Sequence, residues 1–520
     1  MLSLPYYRPL WQILTVLLSH SLKETEATFR NWVSGLERQI LELFIPQGHI
    51  LRRYEEKIEY RKIEGVLQQA YSGNSGGILP IEALKLFKLY LVSYIYPVDS
   101  ERELVRRASA DMAIRWFSGF GLFETIPSSS TLCKFRYRIG KERFESCFED
   151  VLRQCAAKRL LNGRTFIHDA SKMDGRATKI KAFEQAKRLI HFFLQCMFGA
   201  SKLSCVDERD KQILIEVCRK AASLVGYPIR EMGSFLRSLN HFCLSQGGVF
   251  LGMISLERLK EIKLKDKMSQ ALSQLPHAVG DADARMGRTS VGKKFLGYLF
   301  SFSIDSARQI ITSVLTTPGN VHCSKHLKQA YEEHKSNMKK LGVREIPERA
   351  SLDAGYDDRE TRKMFAKDGV RAYIRPSEKE NKHGVFSTDR FFLTTEGQML
   401  CPAGKPMQAG SRRNRKGGTL IYRGTACKDC TLHAQCTRIK IRTVEVNPED
   451  HLLRQEALEL KHTAEFKQAM KERLIIEAVF GHGKGYHLLA KARYRNLEMV
   501  SVQCLMAAMT MNMEKIIRAS

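Results

Sequence analysis

The chain has 520 residues, which is too long for one small hydrophobic core and suits about two to four structural units. Its apolar content of 43% is ordinary for a globular protein, so a largely disordered chain is excluded. Lysine and arginine number 84 against 56 acidic residues, and the formal charge of +28 favours a polyanionic partner, with nucleic acid ahead of a membrane surface.

Residues 1–45 are predicted to form a helical extension. Its most apolar part, residues 10–18, is too short to cross a bilayer, for which about 20 apolar residues are needed. The thirteen cysteines are odd in number and scattered, which suits a reducing compartment where thiols are free or metal-bound. We therefore expect a cytoplasmic protein without membrane contact.

Residues 46–155 are predicted to form an all-helical domain. Apolar side chains recur at helical spacing from Leu84 to Ile95, which indicates one helix of this domain. The segment Ser-Glu-Arg-Glu that follows predicts the start of another. There Ser100 and Glu103 are expected to form a capping box, in which each side chain accepts a hydrogen bond from a free backbone N–H of the other.

A further helix of this domain is predicted after Pro127. Apolar side chains line one of its faces: Leu132, Phe135 and Ile139. Cations line another face: Lys134, Arg138 and Lys141. A helix with one core face and one basic face is typical of a DNA-docking element. The alternative is a solvated surface helix, and the overall charge of the chain favours DNA.

From Arg164 onward the pattern changes to alternating strands and helices. The predicted order is strand, strand, strand, helix, strand, helix, strand, which is that of an RNase H-like domain. We expect this domain to span residues 160–515, with a helical insertion at 181–280 and a Cys-rich insertion at 378–450. The predicted fold is therefore mixed α+β: a five-stranded mixed sheet with helices, preceded by the helical DNA-binding domain.

Three acidic residues are candidates for phosphoryl-transfer chemistry. Such chemistry uses two divalent cations about 3.5–4 Å apart, which need carboxylates from separate elements. Asp169 is expected at the end of the strand Thr-Phe-Ile-His-Asp, and Asp353 at the end of Ala-Ser-Leu-Asp. Glu477 lies in an otherwise apolar helical stretch, where a lone buried carboxylate would be costly. Taken singly, each acid is better explained as a hydrated or salt-bridged residue at a strand end or on a helix face, so the choice of these three depends on a resemblance.

The resemblance is carried by motifs around these acids. Arg473, Glu477 and Lys484 have the spacing R-x3-E-x6-K of a Tyr-Arg-Glu-Lys signature, with Met470 at the Tyr position. The segments Asp-Ala-Ser-Lys-Met-Asp-Gly and Ser-Leu-Asp-Ala-Gly-Tyr-Asp resemble the first-acid and second-acid motifs, the latter with Ala354 in place of Lys. Over roughly residues 50–515 the chain resembles a DDE transposase of bacterial insertion sequences, of the Tyr-Arg-Glu-Lys signature class.

This resemblance implies a metal-dependent enzyme that cuts DNA and joins the freed strand to a target. Asp169, Asp353 and Glu477 would hold two Mg²⁺ or Mn²⁺ ions, and Arg473 and Lys484 would hold phosphates. The implied partner is double-stranded DNA, both the terminal inverted repeats of the element and the target. The chain is expected to act on it as a homodimer or larger assembly, associated with the nucleoid.

Two alternatives stay open. One is a decayed or domesticated copy that binds DNA without catalysis, having lost activity through Met470 or Ala354. The other is an RNase H-like nuclease that hydrolyses DNA without joining it. The presence of all three acids favours the transposase over the first alternative. The helical domain favours it over the second, because a simple nuclease needs no domain that reads element ends.

Four cysteines form a candidate metal site within the Cys-rich insertion. Cys401 is followed, after a long interval, by Cys427-x2-Cys430-x5-Cys436 in a Gly-rich basic segment. This set predicts a structural Zn²⁺ site of the Cys₄ type, in which His433 could replace one thiol. The alternative is a group of reduced bystander thiols. The other nine cysteines are predicted to be small core residues.

Overall fold

The structure is a computed structural model that describes residues 36–71, 81–198, 208–245, 272, 275, 278–289, 292–322, 324–377, 384–410 and 418–519. It divides into two compact units at Leu160, and short segments near the C-terminus (486–488 and 505–519) return to the first unit. Most of the predicted N-terminal extension, residues 1–35, lies outside the described residues, and residues 36–44 are helical. None of the helices that the structure describes has the length and apolarity needed to span a bilayer.

The first unit is helical in its described part. Its helices after residue 44 are α1 (Ile50–Lys57), α2 (Arg61–Gln68), α3 (Ala83–Ile95), α4 (Glu101–Ala110), α5 (Met112–Ser118) and α6 (Ser129–Ala157). The most deeply buried is α3, which is buried continuously from Leu86 to Tyr94. Its sequence is apolar on nearly all sides, and a helix of that kind packs in the centre of a domain rather than on its surface.

Helix α6 has the predicted apolar face but is kinked. Leu132, Phe135 and Ile139 are buried as expected. Gly140 has φ 70° and ψ 166°, a non-helical conformation that only glycine adopts readily. Lys141 follows this kink, so helical spacing does not place it on the same face as Lys134 and Arg138.

The predicted capping box at α4 is wrong. The Ser100 side chain makes no capping hydrogen bond. The Glu103 carboxylate instead accepts hydrogen bonds from the guanidinium groups of Arg106 at 2.7 Å and Arg107 at 2.8 Å. Charge-assisted bonds of this kind are stronger than a bond to a backbone N–H, which explains why the acid turns away from the helix start.

The second unit contains a mixed sheet. Its strands are β1 (Thr165–Asp174), β2 (Arg285–Arg288), β3 (Lys294–Asp305), β4 (Ile310–Pro318), β5 (Arg349–Leu352) and β6 (Arg371–Ile374). The order is β2-β3-β1-β5-β6, and β4 also pairs with β3. The ladders of β1 with β5 and β5 with β6 are parallel, and the others are antiparallel. The sheet therefore has six strands rather than the predicted five, because the short β2 adds to the start of β3.

The central strand β1 buries side chains on both of its faces. On one face Phe166 packs with residues of α10 (Ser324–Lys340) and α11 (Arg359–Lys367), including Tyr331 and Phe365. Asp169 and Phe302 are cross-strand partners in the β1–β3 ladder, so their side chains lie on the other face. This second face carries the candidate site.

The helical insertion has its own core. It contains α7 (Ala182–Phe198), α8 (Glu208–Val225) and α9 (Met232–Ser245), and part of the predicted range, 246–271, lies outside the described residues. Leu189, Val217 and Phe235 belong to one buried cluster formed by these three helices. Residues 178–179 and 278–279 pair as a two-stranded ribbon, so the insertion leaves and rejoins the chain at neighbouring positions.

The Cys-rich segment is a small β-structure, described except for residues 378–383 and 411–417. Its strands are β7 (Phe392–Leu393), β8 (Met399–Leu400), β9 (Met407–Ala409), β10 (Leu420–Gly424) and β11 (Thr443–Val446). Phe391, Met399 and Tyr422 lie in its core. Helices α12 (Pro448–Leu460), α13 (Ala464–Arg473), α14 (Ile475–Tyr486) and α15 (Leu497–Ala519) follow it.

A buried ion-pair network connects the Cys-rich segment to the turn after β5. The guanidinium of Arg454 contacts Asp357 at 2.6 Å and Asp389 at 2.8 Å. Asp357 also pairs with Arg362 and accepts a hydrogen bond from the backbone N–H of Ser377 at 2.6 Å. The Asp357 side chain is only 2% exposed, so these cations are what makes its charge tolerable inside the protein.

Candidate active site

Asp169 and Asp353 are neighbours across the parallel ladder of β1 and β5. The prediction that Asp169 ends its strand is wrong, because β1 continues to Asp174. The ladder with β5, however, stops at the pair His168–Leu352, and Asp353 is the first residue after β5. Asp169 and Asp353 are therefore each the first residue beyond the last parallel pair of β1 and β5, so they lie side by side on adjacent strands.

Glu477 is carried toward Asp169 by the packing of α14. Phe480, three residues later, packs against Phe302 with ring centroids 5.6 Å apart, and Phe302 is the cross-strand partner of Asp169. Phe480 also contacts Phe300 at 5.4 Å. Glu477 is not buried alone within its apolar stretch, since its side chain is 58% exposed and paired with Arg473, while Ile476 is buried against the fold.

Arg473 links two of the acids. It ends α13, and although the chain turns at Leu474 before α14 begins, the guanidinium still reaches Glu477 Oε1 at 3.1 Å. Its other nitrogen, Nη1, lies 3.3 Å from Asp169 Oδ2. The side chains of Arg473 and Asp169 are 13% and 22% exposed, so their contact is largely shielded from water, whereas the contact with Glu477 is exposed.

Burial raises the pKa of Asp169 to about 6. A hydrogen bond from the backbone N–H of Ala170 at 2.8 Å and the charge of Arg473 act in the opposite direction. Repulsion from Asp353 and Glu477 raises the pKa further, which shows that the three carboxylates interact electrostatically. The hydrogen bond from Ala170 and the charge of Arg473 therefore do not fully offset the burial of the Asp169 carboxylate and its repulsion by the other two acids.

The three acids suit a hard divalent cation by their chemistry. Carboxylate oxygens are the ligands that Mg²⁺ and Mn²⁺ prefer, and a dication would relieve the repulsion felt at Asp169. In the described part of the chain the oxygens of the three acids do not all lie within 4.8 Å of one another, and the Arg473 guanidinium contacts both Asp169 and Glu477. The three carboxylates therefore fit a divalent cation by their chemistry, and the Arg473 guanidinium supplies positive charge beside Asp169 and Glu477.

The acids line a cavity of about 1190 Å³ whose walls are rich in cations. Six basic side chains line it: Lys172, Lys179, Arg288, Lys294, Arg473 and Lys484. Burial lowers the pKa of Lys484, and the neighbouring charge of Lys172 lowers it further. Among the described residues, the cavity therefore carries six cations against three acids, which suits a polyanion.

The remaining residues singled out in the sequence lie outside this cavity. Lys134 and Arg138 are exposed on α6 in the first unit, and Arg138 also covers the ring of Tyr71 at 4.8 Å. Lys141 forms an ion pair with Glu145 at 2.9 Å. Met470 packs beside a small buried cluster in the second unit and does not line the cavity.

The four predicted cysteines line one enclosed space of about 30 Å³: Cys401, Cys427, Cys430 and Cys436. Burial raises the pKa of the Cys436 thiol, Arg442 opposes this, and the other three thiols raise it again. A Cβ at Gly424 would lie 2.4 Å from the Cys427 sulfur, so glycine lets the chain approach that sulfur. No three of these sulfurs lie within 4.8 Å of one another in the described chain, yet four soft thiols around one space fit Zn²⁺.

Two parts of the chain match known protein families. Residues 39–138 match the model described as a transposase domain of the type DUF772, and residues 400–517 match the model described as a transposase DDE domain. Both matches are to transposase domains, and together they support the assignment of this chain as an insertion-sequence DDE transposase. No match was found among the curated proteins, nor among the solved structures. The Tyr-Arg-Glu-Lys class within these transposases stays a prediction.

The two matched ranges cover the candidate site unevenly. The DDE range contains Arg473, Glu477 and Lys484 together with the four cysteines, whereas Asp169 and Asp353 lie outside both ranges. The roles of these two acids therefore depend on the geometry of the sheet.

Sequence analysis did not select four of the cations that line the cavity: Lys172, Lys179, Arg288 and Lys294. Lys172 lies within the first-acid motif and Lys179 shortly after it, so their positions were a usable signal. The other two are brought in by the register of β2 against β3, which local sequence does not reveal.

Proposed function

We propose that this transposase cuts DNA at element ends and joins the freed strand to target DNA by metal-dependent phosphoryl transfer. Asp169, Asp353 and Glu477 are the proposed catalytic acids. One observation carries the proposal: three acids that are far apart in sequence line a single cavity with six cations. Carboxylates for metal ions and cations for phosphates are the two kinds of group that this chemistry needs.

We infer that the sheet is RNase H-like. The strand order β4-β3-β1-β5-β6 supports this, with β3 antiparallel and β5 parallel to the central β1. In that arrangement the first and fourth core strands lie side by side, which brings Asp169 next to Asp353. The inference extends to the whole predicted domain, residues 160–515, with its helical and Cys-rich insertions.

Each proposed site residue has a distinct task. The carboxylates of Asp169, Asp353 and Glu477 hold Mg²⁺ or Mn²⁺, and two such ions when bound activate the attacking oxygen and stabilise the leaving one. Arg473 contacts both Asp169 and Glu477 through its two terminal nitrogens, and its single positive charge offsets part of the repulsion between them. Lys484 lines the same cavity and is placed to hold a phosphate as a point charge.

The substrate in this proposal is double-stranded DNA, namely the terminal inverted repeats of the element and the target. The formal charge of +28 supports a polyanionic partner. The exposed cations of α6 support a DNA-binding role for residues 46–155. We further propose that two or more chains assemble on DNA, in the cytoplasm at the nucleoid, and that the cluster of four cysteines binds one structural Zn²⁺.

The test is cleavage of DNA that carries the ends of the element. Asp169→Asn, Asp353→Asn and Glu477→Gln should each lower the cleavage rate by about 10³-fold or more, because each removes a metal ligand. DNA binding should persist, since affinity comes mainly from lysine and arginine. Cleavage should require Mg²⁺ or Mn²⁺ and stop in chelator.

The matched control is Asp174→Asn. This residue lies on the same strand as Asp169, is 51% exposed and pairs with Lys172 at 3.1 Å. Its variant should cut at a near-native rate. Near-native cutting by Asp169→Asn or Glu477→Gln, or cutting that continues in chelator, would rule out the proposed catalytic acids.

A further inference from the structure

The β2–β3 hairpin places two cations directly opposite each other. In its antiparallel register Arg288 is the partner of Lys294, and both side chains are exposed. Like charges opposite each other on one face of a sheet are destabilising. Among the residues that the structure describes, neither cation has an acidic partner. The free protein thus keeps an unfavourable pair of charges on the wall of the cavity that also contains Asp169.

A third exposed cation lines the same cavity. Lys179 belongs to the two-stranded ribbon at the base of the helical insertion, and it too makes no ion pair with the described residues. Lys172, by contrast, pairs with Asp174 at 3.1 Å. Three cations without an acidic partner on one cavity wall create a positive potential there, which favours an anionic ligand from outside the chain.

The hairpin is held in place by close backbone contact. A Cβ at Gly287 would lie 2.2 Å from the carbonyl oxygen of Gly319, so no larger residue could stand there without moving the backbone. Across the hairpin, the backbone N–H of Thr289 donates to the carbonyl oxygen of Lys293 at 2.9 Å. Arg288 therefore projects from a fixed backbone, which reduces the entropy lost when it binds a ligand.

We propose that Lys179, Arg288 and Lys294 form a phosphate clamp that holds the backbone of the DNA strand entering the cavity. The proposal deepens the function proposed above and rests on DNA being the ligand of this cavity. Guanidinium and ammonium groups recognise phosphodiester oxygens without reading bases, so the clamp positions the strand and contributes no sequence preference. Binding a phosphate also removes the repulsion between Arg288 and Lys294.

The test is a salt titration of DNA binding by the full-length protein in chelator, with a fluorescent duplex of mixed sequence. The double variant Arg288→Gln/Lys294→Gln should lower the slope of log K against log salt by about two, since each phosphate contact contributes about 0.9. The matched control is Arg308→Gln/Lys328→Gln. Both of those cations are exposed, lie outside the cavity, and carry the same total charge. The control should leave the slope unchanged.

Thermal unfolding supplies a second readout that separates binding from folding. Arg288→Gln should raise the Tm of the free protein by about 1 °C, because it removes the cross-strand repulsion. Arg288→Glu should raise Tm at least as much by pairing with Lys294, and should weaken DNA binding further. A lower Tm for both variants would mean that Arg288 is structural and would overturn the clamp.

The outcomes also separate the clamp from the catalytic proposal. Binding in chelator needs neither metal nor cleavage. If the clamp variants lose slope while Asp169→Asn still cuts, the catalytic acids are wrong and the clamp stands. If Asp169→Asn abolishes cutting while the clamp variants keep the parental slope, or lose no more than the control, the clamp is overturned and the catalytic acids stand.

Discussion

The carboxylate of Asp169 lies where ionisation is unfavourable. Burial raises its pKa to about 6 from an ordinary value of 3.8. A folded state with the higher pKa binds its proton more tightly than the unfolded chain does. The stability of the folded protein therefore falls as pH rises from about 4 to about 6, and stays lower above that range.

Asp169→Asn should consequently stabilise the metal-free protein at neutral pH. The shift corresponds to about 1.4 kcal/mol per pKa unit, and partial exposure together with the lost Arg473 contact reduces the net gain to on the order of 1–2 kcal/mol. Chemical denaturation in chelator at pH 5 and pH 8 measures it. The gain should be larger at pH 8, and a variant less stable than the parent at both pH values would contradict this account.

Single residues of the candidate site were only partly predictable from sequence. The spacing of Arg473, Glu477 and Lys484 identified side chains that do line one cavity. The strand position of Asp169 was wrong, because β1 extends beyond the end of its parallel ladder. The exposure of Glu477 could not be read from the sequence, because an apolar run does not show which side of a helix meets the sheet. Both depend on long-range packing.

The Cys-rich segment yields a prediction at the scale of an element. Freshly purified, reduced protein should contain about one Zn²⁺ per chain, and Cys430→Ser should release it, because a structural Zn²⁺ site is completed by four ligands. Cys133→Ser is the control, since Cys133 lies on α6 in the first unit. Metal analysis that finds no zinc in the parent protein would show the thiols to be bystanders.

The ion pairs after β5 give a second element-scale prediction. Asp357→Asn should destabilise the second unit by about 3–5 kcal/mol, because Arg454 and Arg362 would be left as poorly compensated buried charges. The control is Glu449→Gln, which removes an ion pair between Glu449, 70% exposed, and Lys363. It should cost at most about 1 kcal/mol. If chemical denaturation gave equal losses of unfolding free energy for the two substitutions, burial would not explain the contribution of the Asp357 ion pairs to stability.

Strands and helices were predicted better from sequence where their pattern of apolar residues was regular. The strand and helix order after Arg164 was readable because the sheet strands alternate or are continuously apolar. The short β2 was missed because its residues Arg285–Arg288 carry no strand pattern and pair only with the start of β3. The kink at Gly140 was missed because a lone glycine is tolerated within many helices.

At the scale of the whole molecule, we expect the cations of the chain to contribute unequally to DNA binding. In the first unit, Lys134→Gln/Arg138→Gln should lower the salt slope of DNA binding by about two. Lys141→Gln should change it by much less, because Lys141 is neutralised by Glu145 and follows the kink in α6. Salt titration of the full-length protein measures both. Equal changes from the double and the single substitution would contradict the assignment of this basic face.

The position of β1 in the sheet has a consequence for synthesis of the protein. The central strand β1 is the first strand of the sheet to leave the ribosome, and β3 begins 120 residues after β1 ends. At about 5–20 residues per second, translation takes roughly 6–24 s to supply that partner. During this interval the insertion can fold on its own core, while β1 exposes two unpaired edges that invite aggregation. The speed at which ribosomes pass the insertion should therefore decide how much newly made chain escapes aggregation.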